Sequence, residues 1–173
     1  MVSSALMQLV AQTSWGHLDY LVIDMPPGTG DIQLTLAQKV PVAGSVIVTT
    51  PQDLALLDAK KCVEMFRKVN IPVLGVVENM AVHICSNCGH SEHLFGEGGG
   101  EKLATQYGVE FLSSLPLSIV IREQTDGGRP TVAADPDNEI AMIYQELARH
   151  VGARIFMQET YAPLMPNITV SDD

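Results

Sequence analysis

The chain has 173 residues, enough for one domain with a substantial core. Its formal charge of −10 argues against a general nucleic-acid surface, because neutralising phosphates requires clustered lysine and arginine side chains. Hydrophobic residues make up 46% of the sequence but form no run of membrane-spanning length, and the first residues lack the pattern of a signal peptide. We therefore expect a globular cytoplasmic protein that binds neither nucleic acid nor a membrane.

The predicted elements alternate between helices and strands. Apolar spacing predicts a helix over Val2–Thr13, a short buried strand over Tyr20–Asp24 and a short helix over Asp31–Gln38. The continuous apolar run Ser45–Thr50 is typical of a strand buried on both faces. Asp53 is a suitable N-cap for the helix that follows this strand.

The second half of the chain continues this alternation. The pattern predicts, in order, a strand, a helix, a strand and a closing helix over Val73–Glu78, Glu97–Tyr107, Glu110–Ser114 and Pro136–Val151. Residues 81–95 are expected to be irregular, and residues from about 156 onward to form a loose tail. Strands separated by helices imply a doubly wound α/β fold, with a mainly parallel sheet and helices on both faces.

The segment around Asp24 carries the first functional signal. An aspartate at the carboxyl end of a buried strand can hold a Mg²⁺-bound water, and the amide of Gly28 can face a terminal phosphate because glycine permits close backbone approach. A simple strand-ending turn capped by Asp24 would show the same pattern. The phosphate-binding loop that such a segment normally serves, G-x-x-x-x-G-K-[ST], has no match in the 173 residues.

A second signal is the sequence CSNCGH, in which Cys85 and Cys88 are spaced so that two thiolates can bind one metal centre. A [4Fe–4S] cluster or a structural Zn²⁺ takes about four ligands, so further ligands must come from a partner or another source. His90 and His93 could complete a zinc site, although the short spacing from Cys88 to His90 makes it strained. The cysteines could also form a Cys₄ zinc site between two chains or a redox-active thiol pair. Cys62 lies on an apolar helix face and is expected to be inert.

Two further segments are assigned no function. Residues 96–102 read GEGGGEK, but Glu101 stands where a phosphate loop needs glycine and Leu103 where it needs Ser or Thr. We interpret them as a flexible lead into a helix. Arg122, Glu123, Asp126 and Arg129 are expected to lie in a solvated Gly-rich loop.

Taken together, these segments resemble the Mrp/ApbC family of iron–sulfur carrier ATPases, which are relatives of MinD and the nitrogenase iron protein. The likeness covers roughly residues 1–155 and is carried by SWGHLDYLVIDMPPGTGD, QLTLAQKVPVAGSVIVTTPQDLALLDAKK, GVVENM, CSNCGH, FGEGGGEKLA, LPL and IREQTDGGRP. Family members place a Lys-Gly-Gly-Val-Gly-Lys-type loop well before the segment that matches Asp24. The chain therefore resembles the C-terminal part of a MinD-like P-loop NTPase domain over residues 1–155, an incomplete P-loop NTPase fold, with a flexible tail over 156–173.

The resemblance implies a nucleotide site for ATP and Mg²⁺ in the intact protein. Asp24 would be the acidic residue behind the Mg²⁺, and Gly28 would sense the γ-phosphate. Asn79 would read the adenine edge, since an amide offers a donor and an acceptor together, and Pro116 would pack near the base. The missing loop would supply the phosphate cradle and the catalytic lysines, so we predict that this chain alone does not hydrolyse ATP.

The resemblance also implies a role for the cysteines. Cys85 and Cys88 of two copies would clamp one labile [4Fe–4S] cluster on the axis of a homodimer, which would pass it to apo iron–sulfur proteins in an ATP-dependent cycle. A competing interpretation is a non-catalytic, zinc-binding dimerisation module with a vestigial nucleotide site. Iron and sulfide in stoichiometry would favour the carrier, and tightly held zinc would favour the module.

Overall fold

The computed structural model describes residues 2–25, 30–85 and 87–161. Its helices are α1 Val2–Gln12, α2 Asp31–Lys39, α3 Asp53–Lys68, α4 Gly99–Tyr107, α5 Ile119–Asp126, α6 Thr131–Ala134 and α7 Glu139–Tyr161. Its strands are β1 Ser45–Thr49, β2 Val73–Glu78, β3 His83–Ile84, β4 Ser91–Glu92 and β5 Phe111–Ser114. None of the helices described here is both long and apolar enough to cross a bilayer.

The centre of the fold is a three-stranded parallel sheet in the order β1-β2-β5. Successive side chains of a strand point to opposite faces, so Val76 and Val77 of the central strand enter different cores. Val76 packs in a cluster with residues of α3 and α4, whereas Val77 lies in a cluster against α7. The expected α/β class, with a parallel sheet covered by helices on both faces, is confirmed.

Beyond the carboxyl end of the sheet, β3 and β4 form a two-stranded antiparallel ribbon in the region expected to be irregular. The first residues of the ribbon pair with the chain that follows β5, as a further strand of the sheet would. The backbone N–H of Leu117 donates to the carbonyl of Val82 at 2.8 Å, and His83 forms a parallel bridge with Leu117. The ribbon is therefore attached to the chain that follows β5 rather than standing free in solvent.

Three local predictions in the first half of the chain were wrong. Tyr20–Asp24 is not a strand: it pairs with no strand among the described residues, and Val22 is 90% exposed. An apolar run becomes a strand only where a neighbouring backbone accepts its hydrogen bonds. Strand β1 is not buried on both faces, since Val48 is 60% exposed. The N-cap of α3 is Gln52, and Asp53 instead lies in the first turn, where its charge complements the helix dipole.

The second half differs from the sequence predictions in helix content. Helix α7 continues to Tyr161, so the expected tail is helical over residues 156–161, and residues 162–173 lie outside the described residues. One side of α7 packs on the sheet through Ile143, Leu147 and Val151, which supports a long helix. Arg122, Glu123 and Asp126 lie in α5 rather than in a loop, whereas Arg129 follows the end of this helix.

The close approach of β2 and β5 predicts a large effect at Gly75. A Cβ at this position would lie 2.6 Å from the carbonyl oxygen of Glu110 and 2.5 Å from Cγ of Leu112. We expect Gly75→Ala to lower the free energy of unfolding by about 1–3 kcal/mol, because the overpacked strands must separate. Urea unfolding followed by circular dichroism measures this change.

Gly152 of α7 provides the matched control for Gly75. The nearest atom to an added Cβ there is the Tyr20 hydroxyl oxygen at 3.6 Å, an ordinary contact. Gly152→Ala should raise stability by up to about 1 kcal/mol through helix propensity. Equal unfolding midpoints for the two variants would contradict the strand packing described here.

Candidate functional site

The carboxyl ends of the three parallel strands meet at one edge of the sheet. The backbone N–H of Asn79 donates to the carbonyl of Thr49 at 2.7 Å, which joins the ends of β2 and β1. On the other side, the N–H of Leu115 donates to the carbonyl of Glu78 at 2.8 Å. Asn79 and Pro116, two of the sequence-predicted nucleotide residues, are therefore brought to the same edge, where both are half-buried.

The backbone around Asn79 fixes the orientation of its side chain. Its Oδ1 accepts a hydrogen bond from the N–H of Met80 at 2.9 Å. Met80 has a φ of 57°, in the left-handed region that a non-glycine residue adopts only with local support. A carbonyl oxygen has two lone pairs, so the Asn79 amide keeps one acceptor position in addition to its donors. The side chain is thus held with hydrogen-bonding capacity at the edge of the sheet.

The other two predicted nucleotide residues are less well defined. Asp24 is exposed and lies between α1 and α2 in sequence, outside any described strand. Gly28 lies outside the described residues. Their roles in Mg²⁺ and phosphate binding stay predictions.

The two cysteines lie at the tip of the β3–β4 ribbon. The N–H of Cys85 donates to the carbonyl of His90 at 2.9 Å, and the N–H of Gly89 donates back to the carbonyl of Cys85 at 2.8 Å. Gly89 has a φ of 71°, a conformation in which a side chain would be strained. These contacts close a tight turn that carries Cys88 on an exposed surface.

The surroundings of the Cys85 thiol favour its thiolate form. The backbone N–H of Asn87 is the largest cause of a pKa of Cys85 below its usual value, followed by the backbone N–H and then the thiol of Cys88. Desolvation and the Glu92 carboxylate oppose this shift more weakly. Backbone amides that point at a sulfur stabilise its thiolate, which is the form that binds metal ions. Cys85 and Cys88 are thus carried on one turn, the exposed thiol of Cys88 beside that of Cys85 in sequence.

The nearby histidines do not join the cysteines. Nδ1 of His93 lies 2.7 Å from the carbonyl oxygen of Ala81, and its Nε2 lies 3.8 Å from Glu97. Across residues 2–25, 30–85 and 87–161, no three His, Cys, Asp or Glu side chains lie close enough to hold a metal ion together. The zinc site completed by His90 and His93 within one chain is therefore not formed.

Sequence reasoning missed Glu78, the last residue of β2. Its side chain is 3% exposed, and its Oε2 accepts the backbone N–H of Gly100 at 2.5 Å. Gly99 and Gly100 are buried as the first residues of α4, so residues 96–102 are not simply a flexible lead. The available signal was an acidic residue that ends an otherwise apolar buried strand.

The pKa shifts of the cysteines predict a difference in their reactivity. Burial and the charge of Asp58 raise the pKa of Cys62, whereas hydrogen bonds lower that of Cys85. Below the usual thiol pKa, Cys85 should therefore hold more thiolate and react faster with iodoacetamide than Cys62. Peptide-resolved mass spectrometry of the metal-free chain across about pH 6–9 measures both rates.

Cys62 serves as the control for Cys85, because both thiols are measured in the same chain. The rate at Cys85 should reach its plateau at a lower pH than the rate at Cys62. Reaction of Cys62 first at neutral pH would show that the turn around Cys85 is not formed in solution.

Comparison with known proteins extends these observations. Residues 1–152 match the model of the ParA family described as NUBPL iron-transfer P-loop NTPase. The chain is 81% identical over 156 residues to the iron–sulfur cluster carrier protein of Pseudomonas fragi, covering 90% of this chain and 54% of the relative. It is 59% identical over 163 residues to the iron–sulfur cluster carrier protein of Escherichia coli strain K12, covering 94% and 44%. The chain thus spans about half the length of these relatives.

A solved structure has a similar fold. The nucleotide-binding protein from Archaeoglobus fulgidus, determined in complex with ADP, superposes with a TM-score of 0.68 at 38% sequence identity. The match covers 80% of this chain and 56% of that protein. The described sheet and helices thus have a counterpart within a larger nucleotide-binding fold.

Proposed function

Because the chain belongs to the ParA family of NUBPL iron-transfer P-loop NTPases, we propose that it forms the cluster-binding part of an iron–sulfur cluster carrier. Two copies bind one [4Fe–4S] cluster as cargo, through Cys85 and Cys88 of each copy. The homodimer then delivers the cluster to apo iron–sulfur proteins. The relatives named as iron–sulfur cluster carrier proteins support this assignment.

The observation that carries the proposal is the tight turn, closed by backbone hydrogen bonds of Cys85 with His90 and Gly89, that carries Cys85 and Cys88 at the tip of the ribbon. Exposure suits cargo that must be loaded and released, whereas a resident structural metal is usually enclosed by its ligands. Hydrogen bonds from backbone N–H groups to the sulfur of Cys85 favour its thiolate without a neighbouring cation. The same donors can persist when the sulfur binds iron, since backbone hydrogen bonds to cluster sulfurs are a common feature of such sites.

Ligand counting supports the homodimer. A [4Fe–4S] cluster takes about four cysteine thiolates, and in the described part of one chain no third His, Cys, Asp or Glu side chain joins Cys85 and Cys88 as a possible ligand. A second copy related by a two-fold axis supplies the same pair and completes the set. The site is therefore incomplete in one copy, and cluster binding and dimer formation are linked by mass action.

The nucleotide half of the proposal rests on the carboxyl edge of the sheet. Asn79 and Pro116 both follow strands that end at this edge, where we propose that they contact the base of ATP. Asp24 would act through Mg²⁺ and Gly28 through the γ-phosphate. Ligands of open α/β sheets commonly bind beyond the carboxyl ends of the strands. This chain alone is proposed not to hydrolyse ATP, because its sequence contains no phosphate-binding loop.

Anaerobic reconstitution with iron and sulfide tests the cluster assignment. We expect a brown protein with about four irons per dimer and an elution volume that changes from monomer to dimer on loading. A colourless protein that binds one zinc per two chains would instead support the dimerisation module. A monomer that binds iron in full stoichiometry would overturn the shared site.

A further inference from the structure

We propose that Glu78 is a positioning residue, which holds the cysteine ribbon in place relative to the nucleotide edge of the sheet. This inference rests on the proposed function of Cys85 and Cys88. Glu78 is 3% exposed, and the 2.5 Å contact of its Oε2 with the N–H of Gly100 joins the end of β2 to the start of α4. We call this contact the Glu78–Gly100 clamp.

The clamp closes the base of the segment that contains the metal ligands. Glu78 ends β2, Gly100 lies in the first turn of α4, and both cysteines come between them in sequence, on a segment that is also attached to the chain after β5 through Val82. The backbone of Glu78 is itself fixed within the central strand, opposite Thr49 of β1 and Ser114 of β5. Because Glu78 is fixed in the sheet, its contact with Gly100 fixes the position of the first turn of α4. The cysteine segment ends at this turn, so its C-terminal end is fixed as well.

The contact suits a carboxylate at this position. The first N–H groups of a helix have no partner within the helix and attract negative charge. The site also needs a glycine: a Cβ on Gly100 would lie 2.9 Å from Cβ of Glu78 and 3.3 Å from Cε2 of Phe111. An acidic side chain and a glycine thus fit one another at the junction of strand and helix.

Glu78 is adjacent to Asn79, which gives the clamp a place in the proposed cycle. Successive strand residues project to opposite faces, so Glu78 contacts α4 while Asn79 lies at the edge proposed for the base. A shift of this strand end on nucleotide binding would move the base of the cysteine segment with it. The clamp therefore joins the strand end next to Asn79 to the start of α4, where the cysteine segment ends.

The test compares clamp variants with a core variant that does not touch the clamp. Glu78→Ala removes the hydrogen-bond acceptor, and Glu78→Gln replaces the carboxylate oxygen with an amide oxygen. Gly100→Ala adds a Cβ that forces the end of β2 and the start of α4 apart. Leu147→Ala, on α7 against the opposite face of the sheet from α4, is the control for general destabilisation. Two quantities are measured: amide hydrogen exchange of Gly100 and residues 87–98 in the metal-free chain, and the rate at which an iron chelator removes the cluster from the reconstituted dimer.

We expect Glu78→Ala and Gly100→Ala to speed both processes by about tenfold or more, as fits the loss of a hydrogen bond to a charged group. Glu78→Gln should be intermediate, and Leu147→Ala should leave both rates near wild type even if its Tm is as low. Rates in Glu78→Gln and Gly100→Ala that match those of Leu147→Ala at equal Tm would overturn the proposal. Faster exchange in a chain that takes up no iron would support the clamp and overturn the carrier assignment, so the two failures are distinguishable.

Discussion

Cys85→Ser and Cys88→Ser should each reduce iron uptake on anaerobic reconstitution from about four irons per dimer to background. Each substitution removes two of the four proposed thiolates, because the change occurs in both copies. A serine hydroxyl is a poor substitute, since thiolates are the preferred ligands of iron–sulfur clusters. Iron and sulfide assays, together with absorbance in the visible range, measure the loss.

Cys62→Ser provides the matched control, because Cys62 is half-buried on α3 and is not part of the ribbon. It should keep the full iron content, and any loss of stability should come from weaker apolar contacts of α3. Retention of iron in either ribbon variant, with loss in Cys62→Ser, would contradict the assignment of ligands. Analytical ultracentrifugation should also show that the ribbon variants stay monomeric under conditions in which the wild type dimerises.

ATP turnover by this chain alone should be indistinguishable from a buffer blank. Phosphoryl transfer requires donors that cradle the γ-phosphate and cations that stabilise the developing charge, and losing even one such donor costs about 10²–10³ in rate. The sequence contains no loop that would provide them. A coupled assay for ADP release on contaminant-free protein measures the rate.

Asp24→Ala is the control for this second prediction. If the measured rate comes from a contaminant, the substitution should leave it unchanged. Turnover above background that disappears in Asp24→Ala would show that the chain assembles a working site, and the proposed lack of hydrolysis would be wrong. The same variant should leave iron uptake intact, because Asp24 does not belong to the ribbon.

The class of the fold and the central strand of its sheet follow from local sequence patterns. The run Val73–Glu78 predicts a strand with the bounds that β2 has, because a strand buried among neighbours needs continuous apolar side chains. The pair Cys85 and Cys88 is also recognisable, since its spacing alone allows two thiolates to reach one metal. In both cases a few adjacent residues contain all the information that the prediction uses.

Strand pairing and hydrogen bonds between residues far apart in sequence are decided only by the tertiary structure. Tyr20–Asp24 has the composition of a strand, but its backbone pairs with no strand among the described residues. The contact of Glu78 with Gly100 joins positions separated by the whole cysteine segment, and no local pattern predicts it. Backbone pairing and burial are properties of the assembled fold, because a hydrogen-bond partner is supplied by whichever segment packs alongside.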